Sequence, residues 1–317
     1  MSKFYQALEK AEQERAIRRQ EQDVKTVVSD RFSDSSVLSA PRRPLRSDFA
    51  GRRTAPESLS VSPESIEAHL VSLLAPDTFE AEQYRTLSYI IEQLHADTGL
   101  SVIAVSSPAV GDGKTTTAIN LASTLTQLPG ARVLLADFDL RRPCVSTNLG
   151  MEMVSNRGLV DFIHDPSLSL DEVLRSYPPS RLAILFTGQV PPTPYDVLKS
   201  SRLEELIEEA RQSYDYIVLD TPPLIPFPDC RLIERFADGF VVVVAANKTP
   251  RKLAEEAIGI VDPEKVVGVV FNSDDRPVFG YYSHYASDSY QSEDRLGPVH
   301  KIVDSIGKLF YRSSATN

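Results

Sequence analysis

Six stretches of this chain are continuous and apolar, and each is followed by a polar break. They are "SVIAVS" (101–106), "RVLLAD" (132–137), "LAILFT" (182–187), "DYIVLD" (215–220), "GFVVVVAA" (239–246) and "KVVGVVFN" (265–272). They are short and rich in β-branched residues. Such runs read as strands buried on both faces, the mark of a parallel sheet. Helical patterns lie between them, so the predicted fold is α/β: an open, mostly parallel sheet with helices on both faces. Upstream, "SPESIEAHLVSLLA" has Ser62 in cap position, Pro63 in the first turn and Ile66, Leu70, Leu73 and Leu74 at helical spacing. It predicts a helix, with a second over "FEAEQYRTLSYIIEQLHA".

The first 62 residues have a different pattern. Residues 1–24 predict a charged helix with a narrow apolar stripe of Phe4, Leu8 and Ala11, either a docking element or nothing stable. Residues 25–62 are rich in Ser, Arg, Pro and Asp without a period and read as a disordered linker. The expected domain then spans 63–278, followed by a tyrosine cluster at 279–291 and an amphipathic tail at 292–317. In that tail Val299, Ile302, Val303, Ile306 and Phe310 share a face, suited to packing on the domain, a partner helix or a membrane surface.

Charge narrows the function classes. The net charge is −10, which argues against general nucleic-acid binding. Residues 1–56 hold 12 Lys/Arg and 8 Asp/Glu, so the arm is basic and the rest of the chain strongly acidic. Such an arm is a solvated tail or touches an acidic partner or membrane surface. No apolar run approaches the roughly 20 residues that cross a bilayer, and the N-terminus lacks the apolar centre of a secretory signal. Cys144 and Cys230 show no metal or disulfide spacing and read as buried structural thiols. These features fit the cytoplasm.

In parallel sheets ligands bind beyond the carboxyl ends of strands, so chemistry is sought there. After the first run comes "SPAVGDGKTTTAINLA". Gly111, Asp112, Gly113, Lys114, Thr115 and Thr116 form the end of a phosphate-binding loop. Glycines let backbone N–H groups face phosphate oxygens, Lys114 reaches the β- and γ-phosphates, and the Thr115 hydroxyl ligates Mg²⁺. Pro108 stands where the loop usually begins with Gly. After the second run, "LLADFDLRRP" places Asp137 and Asp139 two residues apart, on one face of extended chain. One carboxylate there can serve a magnesium shell and the other accept a proton. After the fourth run, "YIVLDTPP" offers Asp220 as a second magnesium carboxylate acting through water. Asp229, in "FPDC", is equally readable as a helix cap or a site residue. Together these residues specify a site for ATP and Mg²⁺.

The three motifs, in this order, resemble those of the bacterial tyrosine autokinases of capsule and exopolysaccharide export. "GQVPPTPYDVLKSSRLEEL" also resembles a proline-rich segment of that family, and the likeness covers roughly residues 65–290. It implies a P-loop fold of the deviant Walker type and Mg-ATP-dependent tyrosine autophosphorylation. The acceptors would be Tyr281, Tyr282, Tyr285 and Tyr290 of "FGYYSHYASDSYQ". It implies Lys114 and Thr115 on phosphate and metal, Asp139 and Asp220 on magnesium, and Asp137 as base for the tyrosine hydroxyl. The implied partners are a membrane co-polymerase activator, other copies of the chain phosphorylated in trans, and an opposing phosphotyrosine phosphatase. The implied location is cytoplasmic, at the inner face of the membrane.

The family's E-x-x-R-x-x-R assembly helix is represented by "EQYRTLS": Glu82 and Arg85 are present, but Ser88 stands for the second Arg, so ring assembly is expected to be weakened or differently held. The main alternative is a partition or septum-site ATPase switch. Those relatives carry an extra lysine early in the loop, where this chain has Ala109. Two further alternatives are a scaffold with a vestigial site and a cluster that is merely a sticky loop.

Overall fold

The computed structural model describes residues 57–58, 65–151, 157–177 and 180–273. Eight strands form one sheet: β1 (Glu57–Ser58), β2 (Val102–Ser106), β3 (Val133–Asp137), β4 (Leu174–Tyr177), β5 (Leu182–Leu185), β6 (Tyr216–Asp220), β7 (Gly239–Ala245) and β8 (Val266–Asn272). Their order is β1-β4-β5-β3-β6-β2-β7-β8, and every pairing is parallel except β4 with β5.

The six apolar runs become the six strands β5, β3, β6, β2, β7 and β8, all running the same way. Both faces of the sheet are covered, and the period-2 alternation of a strand divides each run between two cores. Val102, Ala104, Leu134, Ala136, Ile217, Leu219, Phe240 and Val242 enter one core. Their neighbours Ile103, Val105, Val133, Leu135, Tyr216, Val218, Val241 and Val243 enter the other.

Helices α1 (Val71–Leu74), α2 (Phe79–Thr98), α3 (Lys114–Leu125) and α4 (Val145–Asn148) supply side chains to the second of these cores. Helices α5 (Leu159–His164), α6 (Leu170–Val173), α7 (Pro194–Leu198), α8 (Ser201–Ser213), α9 (Asp229–Ile233) and α10 (Arg251–Ile258) supply side chains to the first. Local chemistry sets their ends. Thr78 caps α2 by accepting from Ala81 N at 3.3 Å, and Gly99 closes it at φ +79°. Ser200 caps α8, accepting from Arg202 N at 3.3 Å.

Three features differ from the sequence reading. The helix expected from Ser62 is, among the described residues, only the four-residue α1 preceded by turns. Tertiary bonds replace its regular ladder: Glu67 N donates to Asn148 O at 2.8 Å, and Ser72 N donates to Asn120 Oδ1 at 2.8 Å. Strand β4 was not visible, because "LRSY" carries Arg and Ser and follows α6 directly. Its Arg175 is buried, donating to the Leu174 and Glu172 carbonyls. Finally, Glu57–Ser58 lies inside the stretch read as linker, yet pairs with Arg175 and Ser176.

Candidate active site

Parallel register gathers the chemistry at one edge of the sheet. β6 lies between β3 and β2, and Asp137 and Asp220 are cross-strand partners at the carboxyl ends of β3 and β6. The phosphate loop follows β2 and runs directly into α3, so the positive end of that helix faces the same edge.

The loop is built from glycine geometry and from its neighbours. Gly111 and Gly113 have φ of +83° and +96°, which L side chains rarely adopt. Asp112 is buried, and its carboxylate accepts from Ala109 N at 3.0 Å and from the Thr249 hydroxyl at 2.8 Å. That side chain holds the loop's shape from within. Lys248 Nζ donates to Gly111 O at 3.0 Å, and Asn272 Nδ2 donates to Asp112 O at 2.9 Å. Pro108 does not prevent the glycine-led curl.

Lys114 Nζ lies 2.8 Å from Asp139 Oδ2, 3.5 Å from Asp220 Oδ1 and 3.3 Å from Thr115 Oγ1. The Thr115 hydroxyl donates to Asp220 Oδ2 at 2.7 Å. Asp137 accepts from Asp139 N at 3.2 Å and from Val145 N at 3.1 Å, and Thr187 Oγ1 donates to its carbonyl at 2.9 Å. Thr116 is half-buried on the first turn of α3. Lys114, Thr115, Asp137, Asp139 and Asp220 are all buried.

The electrostatics follow from that burial. Burial pushes the Asp137 carboxyl well above the ordinary carboxylate range; the Asp220 charge adds to this, while Val145 N–H and the Lys114 ammonium oppose it. Burial also raises Asp220, against the pull of Lys114 and the Thr115 hydroxyl. Burial disfavours the Lys114 charge, but Asp220 and Asp139 outweigh it and hold the ammonium above its ordinary value.

Three carboxylates thus share one ammonium, a charge pattern that suits a divalent cation. Among the described residues no group of three or more His, Cys, Asp or Glu side chains is arranged to hold a metal alone. Magnesium fits such a site, since it binds through one or two carboxylates with waters and substrate phosphates completing the octahedron.

Asp229 is the first residue of α9, behind Pro228 in the cap position. It is buried and takes the Arg141 guanidinium in a two-pronged pair, Nε to Oδ2 at 2.6 Å and Nη2 to Oδ1 at 3.0 Å. Arg141 and Arg142 donate their backbone N–H groups to Asp139 Oδ1 at 3.3 and 3.0 Å. Cys230 is buried beside this segment, its thiol donating to Pro222 O at 3.1 Å, and burial pushes it up to about 11. Cys144, expected to be buried, is only half-buried, ahead of the short helix α4, and burial raises its thiol also.

Glu82 and Arg85 pair with each other on α2, and Arg85 also donates to Pro76 O. Ser88 is buried and donates to Arg85 O at 2.9 Å, so the third position of that motif faces the core. Tyr281, Tyr282, Tyr285 and Tyr290 lie outside the described residues. Sequence reasoning missed Lys248, Thr249 and Asn272. The rule that found Asp220, a polar residue ending an apolar run, also applies to the Asn272 of "KVVGVVFN".

A family model described as an AAA domain matches residues 100–248. Over 225 residues the chain is 31% identical to the tyrosine-protein kinase YwqD of Bacillus subtilis, spanning 70% of this chain and 93% of that protein. The chain belongs to the bacterial tyrosine-protein kinase family. It is an enzyme of that family, a P-loop tyrosine kinase. It is also 30% identical over 237 residues to the tyrosine-protein kinase Wzc of Salmonella typhimurium, covering 72% of this chain and 32% of that longer one. A solved structure, the chimerical protein CapA2B2, superposes with a TM-score of 0.61 at 25% identity, covering 70% of this chain and 95% of that one. Among the described residues no helix is long and apolar enough to cross a membrane.

Proposed function

We propose that this kinase transfers the γ-phosphate of ATP to its own C-terminal tyrosines, Tyr281, Tyr282, Tyr285 and Tyr290, presented by a neighbouring copy of the chain. The observation that carries the reading is the cluster around Lys114: one ammonium 2.8 Å from Asp139 and 3.5 Å from Asp220, at the foot of a glycine-curled loop.

The loop N–H groups and Lys114 hold and neutralise the phosphates. Thr115, Asp139 and Asp220 would hold Mg²⁺, which when bound offsets charge on the transferring phosphoryl group. Asp137 takes the proton from the tyrosine hydroxyl as its oxygen bonds to phosphorus and ADP leaves. Its carboxylate stands at the carboxyl end of β3, cross-strand from Asp220, at the sheet edge where the phosphate loop lies, and a positioned carboxylate can serve as such a base. Arg141 and the N–H groups that Asp139 accepts keep the acidic segment rigid while this happens.

The wider role is polysaccharide production. One relative is named a succinoglycan biosynthesis transport protein, from Rhizobium meliloti, at 30% identity over 217 residues. On this reading the chain works in the cytoplasm at the inner face of the membrane. It is recruited there by a co-polymerase activator and reset by a phosphotyrosine phosphatase.

The test is to incubate the purified full chain with Mg-ATP and map phosphotyrosine by mass spectrometry. Phosphate is expected on the 279–291 cluster and lost when its four tyrosines become Phe, with ATP hydrolysis retained. Full phosphotyrosine in the four-Phe variant would remove the cluster as acceptor. ATP turnover without any phosphotyrosine in the wild type would favour a nucleotide switch instead.

A further inference from the structure

The phosphate machinery described above acts on a hydroxyl, and nothing in it separates tyrosine from serine. Selection of tyrosine needs a surface that recognises an aromatic ring beside that machinery. One such surface is present. Phe227, in the loop between β6 and α9, is 36% exposed, one of few large apolar side chains so placed among the described residues. The Arg141 guanidinium carbon lies over its ring, 3.9 Å from the centroid. Arg141 is fixed in turn by both oxygens of the buried Asp229.

This assembly is tied to the phosphate centre through a single residue. The Arg141 backbone N–H donates to Asp139 Oδ1 at 3.3 Å, and the other Asp139 oxygen lies 2.8 Å from Lys114 Nζ. A two-pronged guanidinium–carboxylate pair that also stacks on an aromatic ring is a rigid arrangement, and Lys cannot reproduce it. A buried carboxylate, a forked cation and a stacked ring therefore hold an exposed aromatic surface that is linked, through Arg141, to Asp139.

We propose that Phe227, backed by Arg141 and Asp229, is a docking platform for an aromatic side chain of the tyrosine-bearing segment of a second copy of this chain. The proposal rests on the kinase reading above and adds the element that selects its substrate. "FGYYSHYASDSYQ" suits the platform. It offers Phe279 and four tyrosines, so a ring on Phe227 leaves neighbouring tyrosines free to enter the site. Its only formal charge is Asp288, and the Arg141 side chain remains 31% exposed. Aromatic pairs favour offset or edge-to-face contact at centroid distances of about 4.5–7 Å, which a ring covered on one side by a cation still permits.

The test reads binding without phosphate transfer. A fluorescently labelled peptide of sequence FGYYSHYASDSYQ is titrated with the full chain, without nucleotide, and followed by anisotropy. Phe227→Ala is expected to raise the peptide Kd about two- to ten-fold, the size of one aromatic pair. Phe227→Trp is expected to keep it near the wild-type value. Arg141→Lys, which retains the charge but loses the fork, is expected to weaken binding as well. It serves as the independent arm if Phe227→Ala lowers the melting temperature. A peptide with its four tyrosines changed to Phe should bind like the original, and one with all five rings changed to Leu should not.

Equal peptide affinity in Phe227→Ala and wild type overturns the proposal, as does a wild type that binds no peptide. Weakened ATP binding with unchanged peptide affinity overturns it too, assigning the ring to the adenine base. Failure of the kinase reading would show separately, as absence of phosphotyrosine in the wild type with Mg-ATP.

Discussion

Asn272, the last residue of β8, donates its side-chain amide to the carbonyl of Asp112 at 2.9 Å, and thereby ties the end of the sheet to the phosphate loop. The contact is close enough that a Cβ on Gly113 would stand 1.9 Å from that amide nitrogen. Gly113 is thus required twice, by its φ of +96° and by its neighbour.

Asn272→Ala should therefore loosen the loop. One neutral hydrogen bond contributes about 0.5–1.5 kcal/mol net, so ATP affinity should fall about two- to ten-fold. Gly113→Ala should abolish ATP binding. Calorimetric titration with ATP checks both. Unchanged affinity in Asn272→Ala would mean the loop holds its shape without β8.

Much of the fold could be read from the sequence because its signals are local. Six apolar runs specify six strands, and the residue after a run marks a site position at Asp137 and Asp220. What could not be read depends on contacts between distant segments. The stretch from Ser62 has helical spacing, but Asn148 O and Asn120 Oδ1 take the backbone N–H groups of Glu67 and Ser72. Arg175 makes β4 look like a loop, and its place in the sheet is set by pairing with Ile184 of β5 and with Glu57 of β1, far earlier in the chain. Asp229 looks like a cap because a helix does begin there, yet its carboxylate holds Arg141 from 88 residues earlier. Lys248 and Thr249 reach the loop from 137 residues away, and no local pattern encodes that.

Ser88 supplies another test, through its burial. Its position in the E-x-x-R-x-x-R pattern makes Ser88→Arg seem a way to restore assembly. The structure buries Ser88 against its own helix and the core, where a guanidinium has no solvent. Unpaired buried charge is strongly disfavoured. Ser88→Arg should lower the melting temperature and should not create larger species by light scattering. A stable variant that forms larger species would show that α2 can turn this position outward.

Asp238 is one carboxylate whose contribution to stability is lost in acid. It accepts from Ser101 N and Val102 N at the start of β2, at 2.9 and 2.8 Å, and from Arg211 of α8 at 2.8 and 2.7 Å. Burial alone would raise its carboxyl, but the Arg211 guanidinium and the two N–H groups bring it below the ordinary value. A depressed folded-state value gives stability that is present above the unfolded value, near 4, and is lost as pH falls through the folded one. Asp238→Asn should cost about 1.5–3 kcal/mol at pH 7, the range for hydrogen bonds to a charged group. The difference from wild type should shrink as pH drops below 4. Urea unfolding at several pH values checks this, and a difference independent of pH would assign the loss to packing.

Asp137 should separate binding from transfer. Asp137→Asn keeps the shape and can still accept from one of the two N–H groups, Val145 N or Asp139 N, which bond different carboxylate oxygens, but it cannot take a proton. Mg-ATP binding should survive, and phosphotyrosine formation should fall about 10²–10⁴-fold, the usual contribution of a positioned base. Lost nucleotide binding, with normal transfer by the fraction still bound, would make Asp137 a metal ligand instead.

On the proposed reading Lys114 has two roles, and a double substitution can divide them. As the cation that faces the transferring phosphate, its removal should cost about 10²–10³ in rate. As the partner of Asp139 and Asp220, its removal also leaves buried carboxylates without their cation, and breaking such a pair from one side typically costs about 3–5 kcal/mol. Lys114→Met should therefore be both inactive and less stable. Adding Asp139→Asn removes the stranded charge nearest the ammonium, so Lys114→Met/Asp139→Asn should regain much of the stability and none of the phosphotyrosine. Melting curves and phosphotyrosine blots on the two variants decide it. If the double variant is no more stable than Lys114→Met, the 2.8 Å pair is not what holds this segment in place. If Lys114→Met still forms phosphotyrosine at the wild-type level, the lysine stabilises the fold without acting in transfer.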